Sequence, residues 1–411
     1  MITRRGLLAS TAAGAAALTV PRRAGAQSAG GPIPVALIAP TSGPWARQGE
    51  LMLKGAQLAV KDINAAGGIT ALGGRQLNLV VFDTGDSPEK AKNAAQRMVA
   101  QNPDLVGVSG AWLSSFTLAV SEVTERAELP MLTFSISDQI TDRGFRYIFQ
   151  TPLTGAMQAN LSVPALMEVS ESATGRKPGK AGVLTDNTSG ALSFAKPLRE
   201  GLLKKLGIDL VLDETFTPPL ADATSLVQRI RSSRPDFLVM ICTGVSDGKL
   251  LLEKISEFGL GGGRLPIISS GAAMGTPELL RNVGAQQLEG VMSVVANWAG
   301  KGLESVVARF EKETGEPWIT QDSITAYADI QLLKYALETA GKPDRNAVAA
   351  ALRAIDTKEG PAQYYAGHHL KFDDKGRNVG AKLVIFQWQN GKPIAIYPAN
   401  TALATPIWPK R

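Results

Sequence analysis

The stretch VALIAPTSGPWARQGELMLKGAQLAVKDINAAGGI, residues 35–69, decides the fold class. Its first five residues are apolar without alternation, the pattern of a strand covered on both faces, as in a parallel sheet clad by helices. Pro40, Ser42, Gly43 and Pro44 then turn the chain, and Trp45 stands where that loop meets a helix. Met52, Ala56, Ala59, Val60 and Ile63 recur at helical spacing, and Gly67 with Gly68 ends the run. In open α/β sheets, ligands bind at the loops leaving the carboxyl ends of strands, so Trp45 is the first residue with a functional address.

Outward from this unit the alternation continues. Strands are expected over 77–82, 104–108 and 130–134, and helices over 88–101 and 114–127. The pattern restarts after Gln150, with Pro152 marking a crossing. A second set follows: helices over 154–169, 191–206, 223–232 and 247–258, and strands over 181–185, 210–216, 237–241, 266–269 and 291–296. Two comparable sets in series predict an α/β fold of two doubly wound parallel-sheet lobes with right-handed crossovers. Helices over 303–314, 322–341 and 345–355 read as covering layers. The chain closes on a strand over 383–388, an Asn390-Gly391 hairpin turn and a return strand over 393–397. Residues 401–411 read as a loose tail.

The chain has 411 residues, 44% hydrophobic and 19% charged, enough for two cores. Its formal charge of +6 falls to +2 once Arg4, Arg5, Arg22 and Arg23 are set aside, and no acid lies among the first 26 residues. No basic stripe suited to a nucleic acid remains. Residues 1–26 read as an export signal: a basic start, an Ala-rich apolar centre and the small-residue pattern Ala24-Gly25-Ala26, with cleavage expected after about Ala26. Thr3-Arg4-Arg5-Gly6-Leu7-Leu8 is similar to a twin-arginine signal, and an ordinary secretory signal is the alternative. With either signal the expected destination is outside the cytoplasm, the periplasm. Cys242, the single cysteine, excludes an intrachain disulfide and reads as core filler.

Catalytic and metal chemistry find little support. His368 and His369 are adjacent, and neighbours in a strand face opposite ways, so they make no two-ligand metal pair. No Gly-x-Ser-x-Gly elbow is present, and Gly259–Gly263 follows a helix and precedes a strand, the reverse of a dinucleotide fingerprint. No cofactor or metal is expected. What remains is a group of hydroxyls at strand ends. Ser114 and Ser115 open a helix, where they serve as caps or add donors to an anion site. Ser135 and Ser137 end the neighbouring strand, and four hydroxyls from two adjacent strand ends favour recognition of a small carboxylate.

These residues resemble the periplasmic substrate-binding proteins of ABC transporters of the branched-chain amino acid type. The resemblance is carried by Thr41-Ser42-Gly43-Pro44, Gly49, Gly55 and Asp62–Ile69, by Phe82-Asp83-Thr84 and by Ala326-Tyr327-Ala328 with Ala340-Gly341. The close, Phe372–Gly376 and Gln387–Lys392, completes it, so that the likeness spans the mature chain in order. It implies a non-enzymatic solute-binding protein with two lobes joined by three crossing segments, the first lobe from 33–150 and 297–362, the second from 151–296 and 363–400. It implies a small-molecule ligand between the lobes, delivery to membrane permeases and a monomer. A periplasmic sensor of the same fold is the rival reading.

By the same resemblance Ser114 or Ser115 holds the ligand carboxylate, Ser135 and Ser137 help, and Trp45, Gln48 and Trp112 line the pocket. The second-lobe wall is expected from Asn187, Ser189, Thr243, Gly271 and Ala272. Here the sequence departs from the pattern. Relatives that bind amino acids carry an acid after the 266–269 strand, and Ser270–Gly275 contains none; a usual tyrosine gives way to Asn187-Thr188-Ser189, and usual aromatics are absent from Thr243–Ser246. Burying an unpaired ammonium costs several kcal/mol, so an amino-acid ligand needs another anion. Asp322 is the candidate, its alternative role being the N-cap of its own helix. The expected ligand is therefore a carboxylate without an amine, such as a keto or aromatic acid, or some other small polar compound.

Overall fold

The computed structural model describes residues 30–408; the expected export signal over 1–26 lies outside them. The first lobe begins with β1 (Ile33–Ala39), α1 (Ala46–Ala65), β2 (Leu77–Asp83), α2 (Pro88–Gln101), β3 (Val108–Gly110), α3 (Ser114–Arg126), β4 (Met131–Thr133) and β5 (Ile148–Gln150). Its strands form an all-parallel sheet in the order β2-β1-β3-β4-β5. Val35 to Ala39 are all fully buried, which is why β1 shows no alternation. β3 starts later than the hydrophobic pattern suggests, and the carbonyls of Pro103 and Leu105 ahead of it accept from Arg345.

The second lobe follows with α4 (Gly155–Thr174), β6 (Lys180–Asp186), α5 (Ser189–Pro197), α6 (Leu203–Lys205), β7 (Asp209–Phe216), α7 (Thr224–Ser233), β8 (Phe237–Ile241), α8 (Val245–Glu257), β9 (Ile267–Ser270), α9 (Pro277–Val283), α10 (Ala285–Leu288) and β10 (Met292–Val295). The single helix expected over 191–206 is broken: Gly201 adopts φ 126°, outside helical space, in the turn between α5 and α6. The chain then returns to the first lobe for α11 (Glu304–Thr314), α12 (Gln321–Ala340), α13 (Arg345–Ala354) and the short pair β11 (Asp356–Thr357) and β12 (Leu370–Lys371). It ends in the second lobe with β13 (Val384–Gln389) and β14 (Lys392–Tyr397), an antiparallel hairpin that extends the second sheet to the order β14-β13-β10-β9-β8-β6-β7. Asn390 and Gly391 both have positive φ, 54° and 75°, as a two-residue hairpin turn demands.

Helix α12 is the spine of the first lobe and packs along α1. Gly55 makes that closeness possible, since a Cβ there would lie 2.0 Å from the Ser323 carbonyl oxygen. Of the three passages between lobes, the first and third are tied together: Asn378 donates from its backbone to Gln150 O (3.0 Å) and from its side chain to Thr151 O (3.1 Å). The break expected at 362/363 falls inside first-lobe packing, because Tyr365, Leu370 and Phe372 join that core; the third passage lies after Phe372.

Two further expectations are corrected. Residues 401–408 are docked rather than loose: Gln387 Nε2 donates to Ile407 O (2.6 Å), Gln387 Oε1 accepts from Ile407 N (2.9 Å), and Trp408 packs on the second-lobe core. His368 and His369 lie in a turn before β12, not in a strand, and His369 Nε2 meets Asp356 Oδ1 at 2.7 Å. Among the described residues no group of side chains is arranged to hold a metal ion, and no helix is long and apolar enough to cross a membrane.

Candidate functional site

Between the lobes, at the carboxyl ends of both sheets, lies a cavity of ≈ 90 Å³. The first lobe supplies Trp112, Ser114, Ser115 and Ser135; the second supplies Ser189, Thr243, Gly271 and Ala272. Eight of the residues expected from sequence thus meet on one wall or the other. Helix α3 begins at the cavity wall with Ser114 and Ser115, and no side chain caps the amides of its first turn. Free amides at a helix start, with the Ser114 and Ser115 hydroxyls beside them, suit an anion.

The support behind each wall is built from hydrogen bonds. On the first-lobe side, Ser114 Oγ accepts from Ser137 N (3.2 Å), and Ser135 Oγ donates to Trp112 O (2.8 Å) while meeting Thr117 Oγ1 at 2.7 Å. Trp112 sits at φ 56° after Ala111 at φ 67°, a left-handed pair that only such fixing sustains. Its indole Nε1 donates to Asp322 Oδ1 (3.0 Å) and its ring leans on Trp45, centroids 6.3 Å apart. On the second-lobe side, buried Asp186 accepts from Thr188 N (2.9 Å), Thr188 Oγ1 (2.6 Å) and Thr243 N (2.6 Å), holding two loops by one carboxylate.

Residues 32–393 match the family model described as periplasmic binding protein. The chain belongs to the periplasmic binding protein family. A Leu/Ile/Val-binding protein homolog from Brucella melitensis is 30% identical over 392 residues, covering 93% of this chain and 95% of the relative. Among solved structures, the branched-chain amino acid transporter substrate binding protein LivJ from Streptococcus pneumoniae, in complex with isoleucine, superimposes with a TM-score of 0.75 at 22% identity, covering 88% of this chain and 97% of that one. An ABC transporter solute binding protein from R. palustris in complex with benzoate gives a TM-score of 0.72 at 18% identity, covering 93% and 100%. As a member of this family the chain is a binding protein, not an enzyme.

The binding-protein lobes touch on both sides of the cleft. On one edge Arg47 Nε in α1 meets Glu278 Oε1 in α9 at 2.9 Å, and Trp318, in the loop before α12, donates from Nε1 to Gly275 O (2.8 Å). Burial alone would lower the Arg47 pKa, but hydrogen bonds to Glu316 and Glu50 raise it above the usual arginine value. On the other edge, Ser193 Oγ in α5 donates to Asp138 Oδ2 at 2.5 Å, and Asp138 N donates back to Ser193 Oγ at 3.1 Å.

The remaining expected residues lie off the cavity wall. Trp45 backs Trp112 instead of facing the space, with Phe116 edge-on at 5.7 Å. Gln48 is buried in α1, and Ser137 contributes its backbone amide to Ser114. Asn187 turns outward and donates to Thr217 Oγ1 (2.9 Å). Asp322 is neither a wall residue nor the cap of α12: Thr320 caps that helix, accepting from Ser323 N, while Asp322 is fully buried behind Trp112. Burial pushes its carboxyl up to about 7, against the downward pull of the Trp112 hydrogen bond and of Arg47.

Sequence reasoning missed Gln158, Cys242, Ser270 and Gln321 on the wall. Gln321 Oε1 also accepts from Ala296 N (2.6 Å) in the second passage between lobes. Ser270 carried the same signal as Ser135, a hydroxyl at the carboxyl end of a buried strand. Gln158 was visible as a polar residue on the apolar face of α4.

Proposed function

We propose that this protein is the exported solute-binding component of an ABC-type uptake system, acting as a monomer in the periplasm, and that it captures a small carboxylate lacking an amine. The observation that carries the ligand class is electrostatic: among the described residues lining the cavity, none is charged. An ammonium group would therefore be buried without a counter-ion, which costs several kcal/mol. A carboxylate, by contrast, finds the first-turn amides of α3 and the hydroxyls of Ser114 and Ser115. The benzoate complex of the R. palustris relative supports a ring-bearing acid against Trp112, and the isoleucine complex of LivJ is the precedent on the other side.

Closure follows from ligand contact with both walls, since a ligand that touches both favours the state in which they meet, and the closed form is the one presented to the permease. The twin-arginine-like signal over 1–26 supports export of the folded chain. Titration calorimetry of the mature protein tests the ligand class. Benzoate, hydroxybenzoates and short keto acids are expected to release heat and raise the melting temperature, whereas leucine and isoleucine are expected to do neither; tight leucine binding with silence from every organic acid would overturn the reading.

A further inference from the structure

One serine of the cavity wall stands apart. Ser270 ends β9, is 4% exposed, and its Oγ has no hydrogen-bond partner. Other buried hydroxyls on the wall are engaged: Ser114 Oγ accepts from Ser137 N, and Ser135 Oγ is shared between Trp112 O and Thr117. Thr188 Oγ1, on the same second-lobe wall, is held by Asp186 and meets Thr243 Oγ1 at 3.0 Å. A buried hydroxyl left unpaired destabilises the fold, so it persists where something else satisfies it. Ser269, its strand neighbour, is also unpartnered, but it is not part of the cavity wall.

We propose that Ser270 is the specificity-determining residue of the second lobe, and that it recognises an uncharged oxygen, a hydroxyl or carbonyl, at the end of the ligand remote from its carboxylate. The proposal rests on the carboxylate reading above. Charge around Ser270 points the same way. Asp186 already accepts from three donors, Asp247 accepts from Leu220 N (2.8 Å) and Asp322 lies behind Trp112; none of the three is part of the cavity wall, so no acid stands on it to hold a cation. A serine hydroxyl both donates and accepts, and so suits a phenol, an alcohol or a ketone oxygen equally. The following residue, Gly271, adopts φ 100° and has open space where a Cβ would stand, so the wall is not filled immediately beyond β9. The ligand class narrows to carboxylates with a second, neutral polar end.

The test compares ligands that differ by one oxygen. Affinities are measured by titration calorimetry for benzoate against its three monohydroxy derivatives, and for butanoate against 4-hydroxybutanoate, with the native protein and with Ser270→Ala. The native protein is expected to favour the hydroxylated member of at least one pair by roughly five- to tenfold, and Ser270→Ala to bring that ratio to about one. Without any ligand, Ser270→Ala is expected to melt no lower than the native protein, because it removes an unpaired buried group. A preference that survives Ser270→Ala, or a preference for the parent acid, overturns the inference while leaving the carboxylate reading standing. A lower melting temperature without ligand overturns it too, by showing that the hydroxyl is used in the fold. If none of these acids and none of the keto acids is bound, the carboxylate reading falls and this inference with it.

Discussion

On the first-lobe side of the cleft, four groups converge on one residue: Ser135 on the Trp112 carbonyl, Asp322 on its indole, Trp45 and the left-handed backbone of Ala111 behind it. On the second-lobe side, a single buried carboxylate, Asp186, holds the Thr188 and Thr243 loops. One wall is braced from several directions; the other gathers around Asp186, with the Thr188–Thr243 hydroxyl contact beside it. Such bracing suits a surface that must present fixed donors to a carboxylate, where misplacement weakens every hydrogen bond together. A wall gathered around one carboxylate leaves its loops free to differ in side chain, which is where this chain departs from the amino-acid-binding pattern.

The sharpest way to break the contrast is Asp186→Ala. It strands three donors that now share a carboxylate, and hydrogen bonds to charged groups are worth roughly 1.5–3 kcal/mol each without being additive. Urea unfolding is expected to show a loss of about 3 kcal/mol or more, together with loss of ligand binding. A variant as stable as the native protein would mean that the second wall does not depend on this carboxylate. On the other wall, Ser114→Ala combined with Ser115→Ala is expected to weaken carboxylate binding by roughly 1.5–3 kcal/mol, and unfolding stability by about 1–2 kcal/mol because Ser137 N loses its acceptor. Unchanged affinity in calorimetry would displace the anion site from the start of α3.

A smaller effect is expected from Asp322→Asn, and it depends on pH. The Asp322 carboxyl, pushed up to about 7 by burial, holds its proton in the folded state while the unfolded chain releases it near the ordinary carboxylate range. Native stability therefore falls as pH rises from about 4 to about 7 and levels off above that. Asparagine cannot ionise, so the variant's stability relative to the native protein should rise by roughly 1–2 kcal/mol between pH 6 and pH 8. A difference independent of pH in thermal melts would show that the carboxylate is not confined as the structure places it.

Much of this architecture was legible in the sequence. The buried run of β1, the Asn390-Gly391 turn and the hydroxyls at the ends of β3 and β4 are local signals, and each stands where its pattern placed it or within a few residues. What stayed hidden depends on contacts between distant residues. Nothing local to Asp322 announces that it meets Trp112, 210 positions away. Trp45 reads as a rim residue until Trp112 is seen in front of it. Tyr365, Leu370 and Phe372 are apolar, but apolarity does not say which of two cores receives them, so the third passage was placed too early. The docked tail depends in the same way on Gln387, 20 positions from Ile407.

That tail has a practical side. β1 begins in the first lobe, while Trp408 is packed against the second. The two ends of the described chain ride on different bodies, so the distance between them is a ruler for the cleft. A donor dye fused ahead of Gly30 and an acceptor fused after Arg411 would read opening and closing as energy transfer, with no label inside the binding site.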